Sequence, residues 1–484
     1  MLRPRNASLR LLLQVALAAV FTLALPAVAQ ATPVSGVQAH LTWGGVDGAE
    51  MDRQLDRAKE AGAGLVRIDV GWSSLEWDGK GRYANWYLTK VDSAVEKANA
   101  RGLKVLLTLM WSPPWASDSK ARNAAPRNPQ DYADTLAFLA RRYGDRVTAW
   151  EVWNEPNQSE FWSAADPVGE YVALLEAAYP AAKQAAPGTT IIGGVTAESD
   201  HTFVEAMYQR GAKGNFDALS IHPYSGDNSP LDPNPSYTQL SFVAGVARVH
   251  DVMLRHGDDK PLWLTEFGWS NCTIRDQALW ANCVDEAKGA TYLEAAYKQM
   301  ATWSYVPVGV WYTLKDLSTD LGNRDHNRGL LRADGSRKPA FAAFQRASAA
   351  LKAGTVTAPA PETAPAPTPT PTPEPTTTPA PTKKKPGKRL GARSASVQVL
   401  QKKMSLRRSA RSGRVRVACP PAVRRCRGSI VLSVKRRGRT VPVATRRVDV
   451  KGGAPTTVAV RFSSKTLAVV SQAGGVANVE VAGG

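Results

Sequence analysis

Residues 147–157 read VTAWEVWNEPN. The apolar run Val147–Trp153 stops at Asn154-Glu155-Pro156. Proline has no amide to give to a central ladder, so a buried strand must end there. The strand therefore presents an amide and a carboxyl at its exit. A second stretch repeats the design: residues 261–267 (PLWLTEF) are apolar until Glu266, and Gly268-Trp269 follow.

Working outward, six more apolar, often β-branched runs predict strands: Val37–Trp43, Leu65–Val70, Lys104–Met110, Thr190–Gly194, Phe216–His222 and Val308–Thr313. Helix-compatible stretches lie between them, at Glu50–Ala61, Trp86–Arg101, Asp131–Tyr143, Val168–Ala186, Phe203–Arg210, Tyr237–Arg255, Ala287–Ser304 and Ala340–Lys352. Eight strands alternating with eight helices predict an α/β fold, a parallel (β/α)8 TIM barrel. A doubly wound open sheet is the alternative, but no Gly-rich phosphate fingerprint follows the first strand. Barrel chemistry belongs at the carboxyl ends of the strands. There the sequence gathers His40 and Trp43, Arg67, Asp69 and Trp72, Trp111, Asn154 and Glu155, His222 and Tyr224, Glu266, and Trp311.

The chain has 484 residues and a formal charge of +19. That charge suggests a nucleic-acid protein until it is located. Residues 383–484 hold 25 Lys/Arg against only Asp449 and Glu480, so the rest of the chain is slightly acidic. Arg3, Arg5 and Arg10 precede an apolar run and small residues near Ala29-Gln30-Ala31, the pattern of a secretory signal over 1–31. No later stretch reaches the roughly 20 apolar residues of a membrane span. The mature chain is thus expected without a transmembrane segment, secreted, and either free or associated with the cell envelope. Residues 358–382 contain ten prolines and read as a semi-rigid tether. The expected organisation is a signal (1–31), the barrel (32–353), a Pro/Thr-rich linker with a Lys cluster (354–393) and a basic β domain (394–484). Short alternating runs in the last segment predict a small sandwich-like domain. With Phe462 as its one aromatic, it does not suit crystalline cellulose. Its positive field suits an anionic cell-wall polymer or other polyanion, with no specific nucleic acid expected; a merely solubilising surface is the alternative.

Export permits disulfides. The four cysteines form two local pairs, Cys272 with Cys283 and Cys419 with Cys426, and both are expected as bridges. No His or Cys completes a zinc set near either pair, and no cofactor or metal is called for.

Two glutamates on facing strands suit glycoside hydrolysis, which needs one protonated carboxyl and one ionised carboxylate. Trp-Asn-Glu-Pro after strand 4, with Thr-Glu-Phe-Gly-Trp after strand 7, resembles the large retaining β-glycosidase clan built on (β/α)8 barrels, including cellulase family 5 and the xylosidase-like family 39. The resemblance covers about residues 36–350 and implies an O-glycosidase acting on a β-linked glycan. By it, Glu155 is the acid/base and Glu266 the nucleophile, and Asn154 meets the sugar 2-hydroxyl. Arg67 orients Glu266 and keeps it ionised, His222 and Tyr224 support the nucleophile side, and Trp311 stacks under the sugar. Trp43, Trp72, Trp77, Trp111, Trp115, Trp162 and Trp269 are candidate subsite walls, because sugar C–H faces pack on aromatic rings. Of the other strand-end acids, Glu76, Glu151 and Asp316, Glu151 reads as structural. One departure favours family 39-like relatives: family 5 usually has a histidine ending strand 3, where this chain reads Leu109-Met110-Trp111. A non-catalytic glycan-binding barrel, and a polyanion-binding protein acting through its tail, remain the alternative readings.

Overall fold

A computed structural model describes residues 32–233, 235–275, 282–356 and 359, and beyond these the strand residues of the C-terminal segment. The expected signal at 1–31, most of the linker and Cys419 lie outside the described residues.

Eight parallel strands close into a barrel in sequence order: β1 (Val34–Gln38), β2 (Leu65–Gly71), β3 (Lys104–Met110), β4 (Ala149–Val152), β5 (Thr190–Ala197), β6 (Ala218–His222), β7 (Leu262–Phe267) and β8 (Val308–Trp311). Helices α1 (Gly48–Glu60), α2 (Trp72–Leu75), α3 (Asn85–Ala100), α4 (Pro129–Tyr143), α5 (Pro167–Ala185), α6 (His201–Gln209), α7 (Phe242–Arg255), α8 (Glu286–Met300) and α9 (Pro339–Ala353) follow the strands. The eight expected helices are present, and α2 is an added single turn. Several helices start at a residue whose side chain accepts an orphan amide: Asp47 for α1, Asn128 for α4, Ser241 for α7 and Asp285 for α8. These caps fix where each loop at the mouth hands over to its helix. None of the described helices is long and apolar enough to cross a membrane.

The barrel interior is layered. Leu65, Leu106, Ala149, Ile192, Ala218, Trp263 and Val308 fill its lower end as an apolar cluster. Side chains two positions further along a strand point the same way. On β2, β3, β4 and β6 those positions are Arg67, Thr108, Glu151 and Ser220, all fully buried. A charged layer thus sits on the apolar one, directly beneath the mouth.

The C-terminal unit is built of antiparallel strands. Lys403–Ser405, Val476–Ala482, Arg425–Arg436 and Arg439–Lys451 pair into one sheet, and Thr456–Arg461, Ser412–Ala418 and Gln398–Val399 into another. The expected Cys419–Cys426 pairing lies outside the described residues, among which the disulfide is Cys272–Cys283. Cys426 is the second residue of the strand Arg425–Arg436, with its backbone opposite Val450. Its expected partner Cys419 falls just beyond the end of the strand Ser412–Ala418, outside the described residues.

Candidate active site

The exit of β4 is held by unusual backbone. Trp111, Trp153, Glu155, Val195 and Glu198 all have φ between +46° and +73°. Non-glycine residues adopt this left-handed region at a cost, and they cluster at functional sites. The Trp153 amide donates to Leu109 O at 3.1 Å and the Glu155 amide to Val195 O at 2.8 Å. Asn157 clasps Ala197 through both its Oδ1 (2.9 Å) and Nδ2 (3.0 Å). The Asn-Glu-Pro turn is thereby zipped to the exit of β5, with the Glu155 side chain aimed into the mouth.

Glu266 arrives from β7. Arg67 donates to its Oε1 at 2.5 Å and the Tyr224 hydroxyl to its Oε2 at 2.7 Å. Arg67 also donates to Glu151 (2.6 Å), Asn154 Oδ1 (2.9 Å) and Gln38 Oε1 (3.0 Å). Burial opposes the Arg67 charge, but Glu151, Glu266 and Asp69 more than offset it and the guanidinium is held firmly protonated. Glu151 is structural, as expected. Its carboxylate accepts from Arg67, Thr108 (2.6 Å) and Ser220 (3.1 Å) inside the barrel. Burial pushes Glu151 up, and the neighbouring Arg67 charge, then His222 and the hydroxyls, bring it below the usual carboxylate range.

His222 corrects an expectation. Its Nδ1 lies 2.8 Å from Glu155 Oε1 and 3.7 Å from Glu266 Oε2, so it serves the Glu155 side, while Tyr224 alone of the two bonds Glu266. Burial lowers the imidazole, but the charge of Glu266 and the bond to Glu155 raise it overall. Trp311 corrects another. It is 1% exposed, packed at 5.7 Å from Phe267 and 6.1 Å from Trp269, and bonded to Arg328 O. It has no open face for a sugar. The next residue, Tyr312, is half-buried, with ring centres 5.6 Å from His40 and 6.3 Å from Tyr224. Successive strand residues face opposite sides, so a one-residue slip exchanges platform for core. Trp72, Trp162 and Trp269 are likewise buried packing residues. Trp111 is half-buried, stacked on Phe161 and capped by Arg122 at 4.5 Å, and Trp43 stays 44% exposed with one face on His40. Glu76 is a buried anchor for Trp72 (2.6 Å) and Thr135 (2.5 Å), and Asp316 pairs with Lys338 at 2.8 Å.

Glu198, unnoticed in the sequence, follows β5 and bridges in antiparallel fashion to His222. Gln158 Nε2 reaches its Oε2 at 3.4 Å. Burial, then the charges of Glu155 and Asp200, push this carboxyl up to about 7. Nothing in a lone Ala-Glu-Ser after a Gly-rich strand signals this. Cys272 and Cys283 form the expected disulfide in the loop after β7.

Glu155, His222 and Glu266 each offer one atom to a cluster whose members lie within 4.8 Å of one another. The two carboxylates are thus close enough to act on one atom between them. Such a cluster could in principle hold a cation, but the Arg67 charge against Glu266 opposes one there.

Comparison with known proteins agrees with this geometry. The profile of the cellulase family (glycosyl hydrolase family 5) matches residues 27–307. The chain belongs to that family, so the missing strand-3 histidine does not move it out. A 115-residue stretch is 40% identical to "Probable glucan 1,3-beta-glucosidase A" of Aspergillus niger, covering 21% of this chain and 27% of that protein. A 100-residue stretch is 28% identical to "Beta-glucosidase 3" of Oryza sativa, covering 20% of each. The chain thus spans about a quarter or less of the length of these curated relatives. A family 39 glycoside hydrolase from Bacteroides cellulosilyticus shares the fold at TM-score 0.54 and 19% identity, over 90% of this chain and 82% of that one. A subfamily 18 member of family 5 from Streptomyces cattleya does so at TM-score 0.53 and 19% identity, over 69% and 84%.

Proposed function

We propose that the protein is a secreted glycosidase that cleaves β-O-glucosidic bonds with retention of anomeric configuration. The observation that carries retention is the carboxylate gap. Oxygens of Glu155 and Glu266 lie within 4.8 Å, which favours the roughly 5–5.5 Å spacing of retaining pairs over the 6.5–9.5 Å of inverting ones. Glu266, an acceptor for Arg67 and Tyr224, attacks the anomeric carbon as the leaving oxygen departs. Glu155 donates its proton to that oxygen, then takes a proton from the water that releases the covalent glycosyl-enzyme. His222 Nδ1, on Glu155 Oε1, holds that carboxyl in line between the two steps. Asn154, fixed through Oδ1 by Arg67, offers its amide nitrogen to the 2-hydroxyl.

A β-glucoside substrate is supported by the names of the partial relatives. Export is supported by the 1–31 pattern and by the Cys272–Cys283 bridge, which suits an oxidising compartment. We assign 32–353 to the hydrolase, 354–393 to a tether and 394–484 to a basic, sandwich-like β domain that would hold the enzyme to anionic wall polymers. In that domain we assign Cys426 to a bridge with Cys419, a pairing supported by their closeness in sequence and by export.

The test is hydrolysis of an aryl β-glucoside followed by proton NMR. The β-anomer of glucose should appear first and mutarotate later. First appearance of the α-anomer would overturn retention. A Glu155→Gln protein as active as wild type would overturn the assignment of the acid/base.

A further inference from the structure

Among the described residues, the exposed large aromatics are Trp43 (44%), Trp77 (61%) and Trp86 (66%). All three belong to one sector of the rim. Trp43 lies in the loop after β1, Trp77 in the loop after β2, and Trp86 in the first turn of α3. In a (β/α)8 barrel these loops and helix starts border the mouth. The Ala84 amide donates to Leu75 O at 2.7 Å and closes the intervening loop, with Trp77 and Trp86 each two residues beyond one end of that bond. Lys90, one turn after Trp86, donates to the Trp43 carbonyl at 2.6 Å and ties the two loops together.

The sector is rigid. Trp115 Nε1 donates to the Glu76 carbonyl at 2.5 Å, the Glu76 carboxylate accepts from Trp72 and from the Gly81 amide, and Lys80 pairs with Asp131 and Asp134. The backbone that carries Trp77 is thereby fixed, so binding need not order that loop. The sector is also continuous with the carboxylates. Trp43 stacks on His40 at 3.8 Å, His40 bonds Asp69 at 3.1 Å, and Asp69 lies 3.7 Å from the Arg67 that grips Glu266. A cleft of about 410 Å³ opens beside His40 and Trp43.

We propose that Trp77 and Trp86 form an aromatic platform, reached from the cleavage site by way of Trp43, that binds a β-linked glucan strand of several residues. The flat, C–H-rich faces of β-linked glucose residues match such rings, and grouped exposed apolar surface marks a binding site. The strand's identity rests on the glycosidase reading above; the platform's existence does not.

The test compares wild type with Trp77→Ala/Trp86→Ala in two assays. The first is the ratio of kcat/KM on a soluble long-chain β-glucan to that on an aryl β-glucoside, which should fall about tenfold in the variant. The second is retardation in native gels containing the same β-glucan, expected for wild type and weakened in the variant. Both side chains are exposed, so the variant should unfold at the wild-type temperature. An unmoved ratio, or a wild type that migrates freely through the glucan, overturns the platform. Retardation by wild type that the variant loses, without hydrolysis of either substrate, keeps the platform and removes the glycosidase reading.

Discussion

Replacing Arg67 by Met should destabilise the barrel in a pH-dependent way. Met keeps an apolar stem and ends where the guanidinium begins, so the charge and its donors are what is removed. Glu151 is fully buried, and without Arg67 it retains Thr108 and Ser220 but no direct ion-pair partner. Removing one partner of a buried pair typically costs about 3–5 kcal/mol, because the other charge is left unpaired. For a domain of this size that lowers Tm by about 6–10 °C. In wild type the Glu151 pKa lies below its unfolded value. Its ionisation therefore adds stability above the unfolded pKa, and that share is lost as pH falls. In Arg67→Met the largest opposing charge is gone, burial outweighs what His222 and the hydroxyls supply, and the folded pKa rises, so the same ionisation now costs stability at neutral pH. The Tm gap between the two proteins should be wide at pH 7.5 and narrow at pH 4. Arg67→Met/Glu151→Gln should recover much of the loss at neutral pH, since the amide keeps hydroxyl partners and carries no charge. Calorimetry of the three proteins at both pH values reads this directly. A gap that does not change with pH, or a double variant no more stable than the single at pH 7.5, would refute the account of Glu151 as a charge that needs Arg67.

Glu198→Gln removes a carboxyl that burial, then the charges of Glu155 and Asp200, push up to about 7. Because the folded pKa of Glu198 is raised, its stability contribution is full at pH 4 and falls as pH rises through 7. The Gln variant should therefore match wild type in Tm at pH 4 and exceed it at pH 8; a variant equally or less stable at pH 8 contradicts this. Tyr224→Phe removes a hydroxyl bonded to Glu266 at 2.7 Å. Hydrogen bonds to charged groups contribute about 1.5–3 kcal/mol, so kcat/KM on an aryl β-glucoside should drop about 10- to 100-fold. Cys272→Ser/Cys283→Ser opens a loop of 11-residue separation, and the melting temperature should fall by an amount equivalent to at most about 3 kcal/mol. An unchanged Tm would mean the loop is held by other contacts.

What the sequence disclosed follows from which signals are local. Strand β3 falls at Lys104–Met110 as expected, because an uninterrupted apolar run of that length is bounded on both sides. β1 sits at Val34–Gln38, several residues before its expected start, because His40 to Trp43 are apolar enough to prolong the pattern while they actually turn into the mouth. Glu155 and Glu266 were legible because each breaks an apolar strand just before a fixed exit. Period-two alternation from Glu151 would turn both Trp153 and Glu155 to the barrel interior, yet Trp153 packs instead on Tyr132 and Trp162. Only the left-handed residues Trp153 and Glu155 reset the direction of the side chain. Those dihedrals leave no mark in composition, and the same is true at Val195 and Glu198. The Trp311/Tyr312 exchange has a related origin: the β7–β8 register shifts between Leu264 and Phe267, and regular alternation cannot be carried through a shift. His222 was found but joined to the wrong carboxylate, since a residue at the end of β6 can lean toward either neighbour. β5 shifts register against β6 between Gly194 and Thr196; within that shift Val195 accepts from the Glu155 amide, and just beyond it Glu198 bridges to His222. The features hidden from the sequence are therefore those made by positive-φ residues and bulges, and they are concentrated on the acid/base side of the site.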